Sequence, residues 1–319
     1  MKIIKIECPD STYSKEERIK LLFENIKSWI YSKEFINLVE LFGGNLNPKD
    51  SFEYNMNYLI EFTKKWDFRS KIIGTNERWN INNQDYNENS DKILEDIKAL
   101  GFVEKTIPNS NPDFILPLGG ARIANFKRPE YAKEIIDKFN YKNINIVSLS
   151  TFRLISEKEK EDKINYSSDI VYEFDAINKG LEKTFNVSVY NEEFSNNKNI
   201  NLKYCIRTYN NYKENKIYSV AAPSSNPEKR ANSRDTFEFF FKKFNIKEKS
   251  NLLLITSQIY VTYQFLKFVD LAIENNINIE CIGYQMDTNN KININLYLQE
   301  IKSTIDAINN LYEKYKDYL

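Results

Sequence analysis

The 319-residue sequence contains no histidine. Histidine is the general base of Ser-His-Asp and Cys-His catalysis and a common metal ligand, so these mechanisms and any imidazole-based metal site are excluded. Acid–base chemistry must therefore use Asp, Glu, Lys, Tyr or Cys side chains, or the ligand itself.

Cysteine is scarce, and the three cysteines, Cys8, Cys205 and Cys281, lie far apart in the chain without a CxxC spacing. This spacing argues against a structural zinc site, so we expect no bound metal, and free thiols suit a reducing cytoplasm. Long apolar runs are also missing. The apolar run within residues 1–10 is too short for a signal peptide. No apolar stretch of the sequence is long enough to span a membrane. We therefore expect a cytoplasmic protein without membrane association.

An excess of charge of one sign is absent as well, because 45 Lys and Arg residues balance 45 Asp and Glu residues. A general nucleic-acid binder needs a basic surface, so we expect no general nucleic-acid binding. The sequence has neither a Walker A lysine motif nor a GxGxxG fingerprint. Their absence argues against a P-loop NTPase and an ordinary NAD enzyme.

The sequence does contain short apolar runs that alternate with segments of helical spacing, which predicts an α/β fold with a mostly parallel sheet. The predicted strands cover 114–118, 144–149, 252–255 and 279–283. We expect a mostly helical N-terminal region over 1–110, a Rossmann-like ligand-binding domain over 111–290 and a C-terminal helix over 291–319. The polar stretch near 186–216 is predicted to be an insertion, in which 202–207 and 217–221 form either a hairpin or one hairpin strand and one strand of the main sheet.

Three of the predicted strands end in residues that are suited to hold an anion. Gly119, Gly120 and Arg122 follow the first strand, Ser150 and Arg153 follow the second, and Thr256 and Ser257 end a third. The carboxyl ends of parallel strands meet at one edge of a sheet, where ligands bind. The alternative is that these residues are ordinary turns and polar strand ends.

Two predicted helix starts add polar residues to this set. Ser233, Arg234 and Thr236 precede or begin a helix, where they could bind an anion with the helix amides, or where Ser233 or Asp235 could simply cap the helix. Glu173 begins another helix and is our acid–base candidate. Its alternative role is a favourable interaction with the helix dipole.

Four segments, FILPLGGARI, YEFDAINKGLEKTF, NSRDTFEFF and LLLITSQIYVTYQFLKF, together resemble the YdcF/SanA-like family over about 113–283. The resemblance implies a Rossmann-like domain and a link to S-adenosylmethionine or cell-envelope metabolism. It places Gly119, Gly120 and Arg122 in the first ligand loop, Glu173 at the family's acidic helix position, Ser233 and Thr236 in a Ser-x-x-Thr pair, and Thr256 and Ser257 at a Thr-Ser strand end. Many relatives carry His and Arg after the Thr-Ser pair, which this chain lacks.

We therefore expect the protein to bind a small phosphorylated or nucleotide-like ligand, with S-adenosylmethionine or another nucleotide as a candidate cofactor. A catalytic protein of this kind would be a transferase or a hydrolase. The alternatives are a non-catalytic ligand sensor that has lost the family chemistry, or a protein-interaction scaffold that uses the N-terminal helices. The sequence does not fix the oligomeric state.

Overall fold

The computed structural model describes residues 3–69, 81, 82, 84, 86–161, 169–286 and 293–319. It groups the chain into two compact units. The sheet unit consists of Thr106–Ser257 and Ile277–Tyr284, and the helical unit consists of Met1–Lys105, Gln258–Asn276 and Gln285–Leu319. The chain therefore leaves the sheet unit after Ser257 and returns to it for one further strand.

The sheet unit contains a seven-stranded sheet in the order β3-β4-β5-β2-β1-β6-β7. Strands β5, β2, β1, β6 and β7 are parallel, whereas β3 and β4 pair antiparallel at one edge. The prediction of an α/β fold with a mostly parallel sheet is confirmed. The strands are β1 (Phe114–Pro117), β2 (Asn145–Ser150), β3 (Val189–Phe194), β4 (Cys205–Tyr209), β5 (Lys216–Ala221), β6 (Asn251–Ser257) and β7 (Asn278–Tyr284).

The central strands are largely apolar because both faces of a parallel sheet are covered. All four residues of β1 are buried. Register places Ile115, Ile146, Ile217 and Leu253 side by side in one row across the sheet, and all four belong to the same core cluster. This row packs with apolar side chains of the first crossover helix, among them Ile135.

The α-helices in the described part of the sheet unit are α5 (Arg122–Phe139), α6 (Glu157–Glu161), α7 (Glu173–Phe185) and α8 (Ser233–Lys243). Helix α5 begins at Arg122, so Pro129 lies inside it. Proline has no amide hydrogen for the carbonyl oxygen four residues earlier, which belongs to Asn125. Helix α7 packs closely against α5 at this point. A Cβ at Gly180 of α7 would overlap the Asn125 carbonyl oxygen.

The predicted insertion forms an antiparallel hairpin of β3 and β4, and β4 also pairs antiparallel with β5. Strand β5 pairs in parallel with β2 as well, so it is both a hairpin partner and a strand of the main sheet. No strand was predicted at the position of β3. All six of its residues are exposed, so neither an apolar run nor an alternation marks it.

The helical unit contains α1 (Lys15–Ile30), α2 (Lys33–Leu41), α3 (Phe52–Thr63), α4 (Ser90–Ala99), α9 (Val261–Glu274) and α10 (Ile294–Tyr315). The continuous apolar spacing over 14–41 is divided between α1 and α2, because the Ser32 side chain caps a new helix by accepting from the Phe35 amide. Residues 291 and 292 of the predicted C-terminal segment lie outside the described residues. Among the described helices, none has both the length and the apolar character that crossing a bilayer requires.

Candidate functional site

The candidate site lies at the carboxyl edge of the sheet, where β1 and β6 are neighbours. From β1 the chain continues outward to β2 and, after the hairpin, to β5, and it then returns to the other side of β1 as β6 and β7. The order therefore reverses between β1 and β6, and in open α/β sheets ligands bind at such a reversal. Gly119 and Gly120 follow β1 there, and Ser257 ends β6.

The two glycines allow charged side chains to approach the backbone closely. A Cβ at Gly119 would overlap the Oε1 atom of Glu173 and would lie 2.9 Å from the carbonyl oxygen of Leu149. A Cβ at Gly120 would lie 2.8 Å from Nη1 of Arg128. Any larger residue at either position would push a charged group away from the loop.

Arg128 of α5 connects the ends of β1 and β6. Its guanidinium donates to the carbonyl oxygens of Leu118 (2.6 Å) and Gly119, and at 3.5 Å to the Ser257 hydroxyl. The Ser257 hydroxyl donates in turn to the Tyr284 hydroxyl at 3.1 Å. The sequence prediction missed Arg128. Its only signal was a cation within the helix that follows the glycine pair.

Arg153 uses all five of its N–H donors inside the protein. Nε donates to Glu173 Oε2 at 2.9 Å, and Nη2 donates to the Gly120 carbonyl oxygen at 2.8 Å. The remaining donors bind both carboxylate oxygens of Glu159, at 2.9 and 3.0 Å, and the carbonyl oxygen of Leu154 at 3.2 Å. Arg153 thereby ties α6 and the start of α7 to the glycine loop.

Glu159 on α6 is buried, although the charged run over 157–163 has the composition of a solvated face. Its carboxylate accepts from the Arg122 amide at 2.8 Å and from the amide and hydroxyl of Ser156, each at 2.9 Å. Arg122 is itself only 1% exposed, and its Nε donates to the Glu159 carbonyl oxygen at 2.6 Å. The signal that the sequence offered for Glu159 was its Ser-x-x-Glu spacing, which is typical of a capping box.

For each of the two carboxyls, burial raises the pKa and nearby positive charge lowers it. Burial raises the pKa of Glu173, and the positive charges of Arg153, Arg128 and Arg230 offset only part of this effect. Burial also opposes ionisation of Glu159, but its hydrogen bonds with Arg153 and the charge of that guanidinium outweigh burial and lower the pKa to about 2. Glu159 is thus held as an anion, whereas Glu173 binds a proton more readily than usual.

The sequence prediction also missed Arg230, which is exposed on the loop between β5 and α8. Its charge reaches Glu173 strongly enough to affect the pKa of that carboxyl. We define the glycine-loop cluster as Gly119, Gly120, Arg122, Arg128, Arg153, Glu159, Glu173 and Arg230. It contains four guanidinium groups and two carboxylates.

The other predicted residues make local hydrogen bonds. The Ser150 hydroxyl donates to the Val220 carbonyl oxygen at 2.9 Å, and the Thr236 hydroxyl donates to that of Ser233 at 2.7 Å. Arg234 forms an exposed ion pair with Glu238 at 2.7 Å. The Thr256 hydroxyl is fully buried and has no hydrogen-bond partner within the described ranges.

The cap of α8 is Asn232, rather than Ser233 or Asp235 as the sequence suggested. The Asn232 side chain accepts from the Arg234 and Asp235 amides, while the Asp235 carboxylate accepts from the Asn232 amide. The two side chains form a reciprocal capping box. In the part of the chain that the structure describes, no cluster of Cys, Asp and Glu side chains is arranged to hold a metal ion.

Comparison with known proteins finds relatives in mycobacteria. Residues 14–101 match the family model described as Rv3785 N-terminal domain. The chain is 24% identical, over 339 aligned residues, to uncharacterized protein Rv3785 of Mycobacterium tuberculosis and to uncharacterized protein Mb3814 of Mycobacterium bovis. Each alignment covers 96% of this chain and 94% of the relative. No solved structure shows significant similarity. The chain is thus a distant homologue of these mycobacterial proteins over nearly its full length.

Proposed function

We propose that the protein binds a small phosphorylated or nucleotide-like ligand at the carboxyl edge of the sheet, between β1 and β6. The observation that carries the proposal is the convergence of Arg128, Arg153 and the exposed Arg230 on the glycine loop and Glu173, at the point where the strand order reverses. A polyanionic ligand would pair with the exposed Arg230 guanidinium at this edge.

Arg230 is the first contact that we assign to the ligand, because its side chain is exposed whereas Arg122 and Arg128 are buried. Glu173 is the acid–base group, since its raised pKa suits a residue that donates or accepts a proton. The reaction would be that of a transferase or a hydrolase. The YdcF/SanA-like resemblance supports S-adenosylmethionine or another nucleotide as the ligand. Three free thiols fit a cytoplasmic location.

A thermal-shift screen followed by calorimetry tests this proposal with ATP, S-adenosylmethionine and sugar phosphates. At least one of them is expected to stabilise the protein, and Arg230→Ala is expected to weaken its binding about tenfold through the loss of one charge-assisted contact. Lys142→Ala is the matched control, because Lys142 is an exposed cation just before the amino end of β2. The proposal fails if no compound binds, or if both variants bind like the wild type.

A second candidate function is a ligand sensor without catalysis. It is favoured by the engagement of Glu173, whose Oε2 accepts from Arg153 while Oε1 packs against Gly119. The absence of histidine from the chain fits the same interpretation. Ligand stabilisation without turnover in a product assay supports the sensor. Turnover that disappears in Glu173→Gln, while ligand affinity is retained, supports the enzyme.

A further inference from the structure

The Glu159 carboxylate occupies the position that an anionic ligand of the glycine-loop cluster would take. Its Oε1 atom accepts from the amide of Arg122, the first residue of α5, and from Nη2 of Arg153. Its Oε2 atom accepts from Nη1 of the same guanidinium. Helix amides and an arginine fork are the donors with which proteins usually hold phosphate groups. Here they hold an anion of the protein itself.

We propose that Glu159 is an internal ligand of this anion position, and that a phosphorylated ligand binds by displacing Glu159 together with α6. The inference rests on the proposed function and adds a regulatory step to it. The contact is autoinhibitory: it neutralises the arginine fork and the first amide of α5 until an external anion replaces it.

The small size of α6 makes this displacement feasible. The helix has five residues, and Glu159 is its only buried side chain. On the same helix Glu157 is 86% exposed and pairs with Lys160 in solvent. Ile155, which lies two residues before the helix, belongs to a separate small core cluster. Glu159 can therefore leave its site without exposing core residues of α6.

The donors around Glu159 favour a phosphoryl group as its competitor. The arginine fork offers two parallel N–H groups, and the Arg122 amide points to the same carboxylate from another direction. A phosphoryl group has three oxygens and more charge than a carboxylate, so it can satisfy all these donors and leave acceptors for others. A simple carboxylate ligand would only repeat the contacts that Glu159 already makes.

The substitution Glu159→Gln separates this role from helix capping, because glutamine at this position preserves a Ser-x-x-Gln capping box. Calorimetry with inorganic pyrophosphate measures the effect. The variant is expected to bind about tenfold more tightly than wild type, as expected when one charged competitor is removed. Glu157→Gln, on the same helix, is the matched control and is expected to bind like wild type.

Hydrogen exchange of the wild-type protein provides a readout that does not depend on the variant folding. Amides of residues 156–161 are expected to exchange faster when pyrophosphate is added. Unchanged exchange, or equal affinity of wild type and Glu159→Gln, overturns the autoinhibitory contact, and the proposed function stands if ATP or S-adenosylmethionine still binds in an Arg230-dependent manner. Absence of binding by every probe to either protein overturns both.

Discussion

Arg153 links several parts of the candidate site, because one guanidinium binds two carboxylates and the Gly120 carbonyl oxygen. Its side chain is 12% exposed, and those of Glu159 and Glu173 are 6% and 9% exposed. Attraction between charges is strong when so little solvent screens them, and a carboxylate left without its partner there is costly. We infer that Arg153 is a structural requirement of the site, whatever the ligand is.

We predict that Arg153→Ala lowers the free energy of unfolding by about 3–5 kcal/mol, since it leaves two buried carboxylates without their cation. The measurement is urea denaturation followed by circular dichroism. Arg234→Ala is the matched control, because Arg234 also pairs with a glutamate but is 44% exposed. It is expected to cost less than about 1 kcal/mol. Equal losses in the two variants would show that burial does not strengthen the Arg153 network.

The ionisation of Glu159 is expected to make stability depend on pH in the acid range. Its pKa is lowered to about 2 in the folded protein from 4.5, so its contribution is complete above about pH 4.5 and is lost as the pH falls toward 2. Glu173 acts in the opposite sense, because its raised pKa means that protonation at low pH favours the folded state. The comparison of wild type with Glu159→Gln isolates the first effect.

We predict that the difference in unfolding free energy between wild type and Glu159→Gln is on the order of 3 kcal/mol larger at pH 7 than at the acid end of this range. Urea titrations at intervals from pH 7 to pH 2 measure it. Glu157→Gln should differ from wild type by a small, nearly constant amount, because that carboxylate is exposed. A pH-independent difference for Glu159→Gln would contradict the lowered pKa of Glu159.

At the scale of elements, the sequence predicted the strands that are buried on both faces. The predicted strand over 114–118 is β1, and that over 252–255 lies within the longer β6. Both are apolar runs, and burial requires such runs. The prediction missed β3, because this exposed edge strand is stabilised mainly by backbone pairing with β4. Backbone pairing leaves no periodic pattern in the sequence. Helix α6 was missed for a similar reason, since only Glu159 of its five residues is buried.

The candidate site was predicted to the same limited extent. Glycine pairs and hydroxyls at strand ends are visible in the sequence, and Gly119, Gly120 and Ser257 do lie at the reversal between β1 and β6. The sequence does not show which partners the charged residues bind. Arg153 pairs with Glu159 and Glu173 because the chain folds α6 and α7 onto the glycine loop. The short separation of Arg153 from Glu159 in the sequence indicates that the two side chains can meet. It does not reveal that the N–H donors of Arg153 are already bound by groups of the protein.

Strand β3 is expected to be the least protected strand of the sheet. All six of its residues are exposed, whereas β1 lies between β2 and β6 and is buried throughout. Amides exchange through local opening, which costs little where few apolar contacts break. Hydrogen–deuterium exchange should therefore label the β3 amides that pair with β4 well before those of β1. Equal protection of the two strands would mean that the β3–β4 hairpin opens only when the whole sheet unfolds.

At the scale of the whole molecule, the helical unit is built from three separate parts of the chain. Its N-terminal part packs against both later parts. Phe23 and Phe52 contact the Tyr312 ring, with centroids 6.2 and 5.2 Å away, and Arg18 donates to the Ala272 carbonyl oxygen at 3.5 Å. The N-terminal third is therefore an integral part of the helical unit, even though residues 14–101 match a family model by themselves.

We predict that a protein lacking residues 1–105 does not give a soluble, cooperatively folded monomer. The deletion removes the helices that cover α9 and α10, and α10 alone carries Leu298, Ile301, Ile305 and Ile308 with no exposed surface in the full chain. Exposing an aliphatic side chain of this kind costs about 1.5–3 kcal/mol. Several together equal the net stability of an ordinary domain, about 5–15 kcal/mol.

Size-exclusion chromatography and thermal melting measure the outcome, and co-expression of residues 1–105 as a separate chain should restore a soluble complex. A truncated protein that is monomeric and melts cooperatively would show that α9 and α10 need no cover from the N-terminal helices.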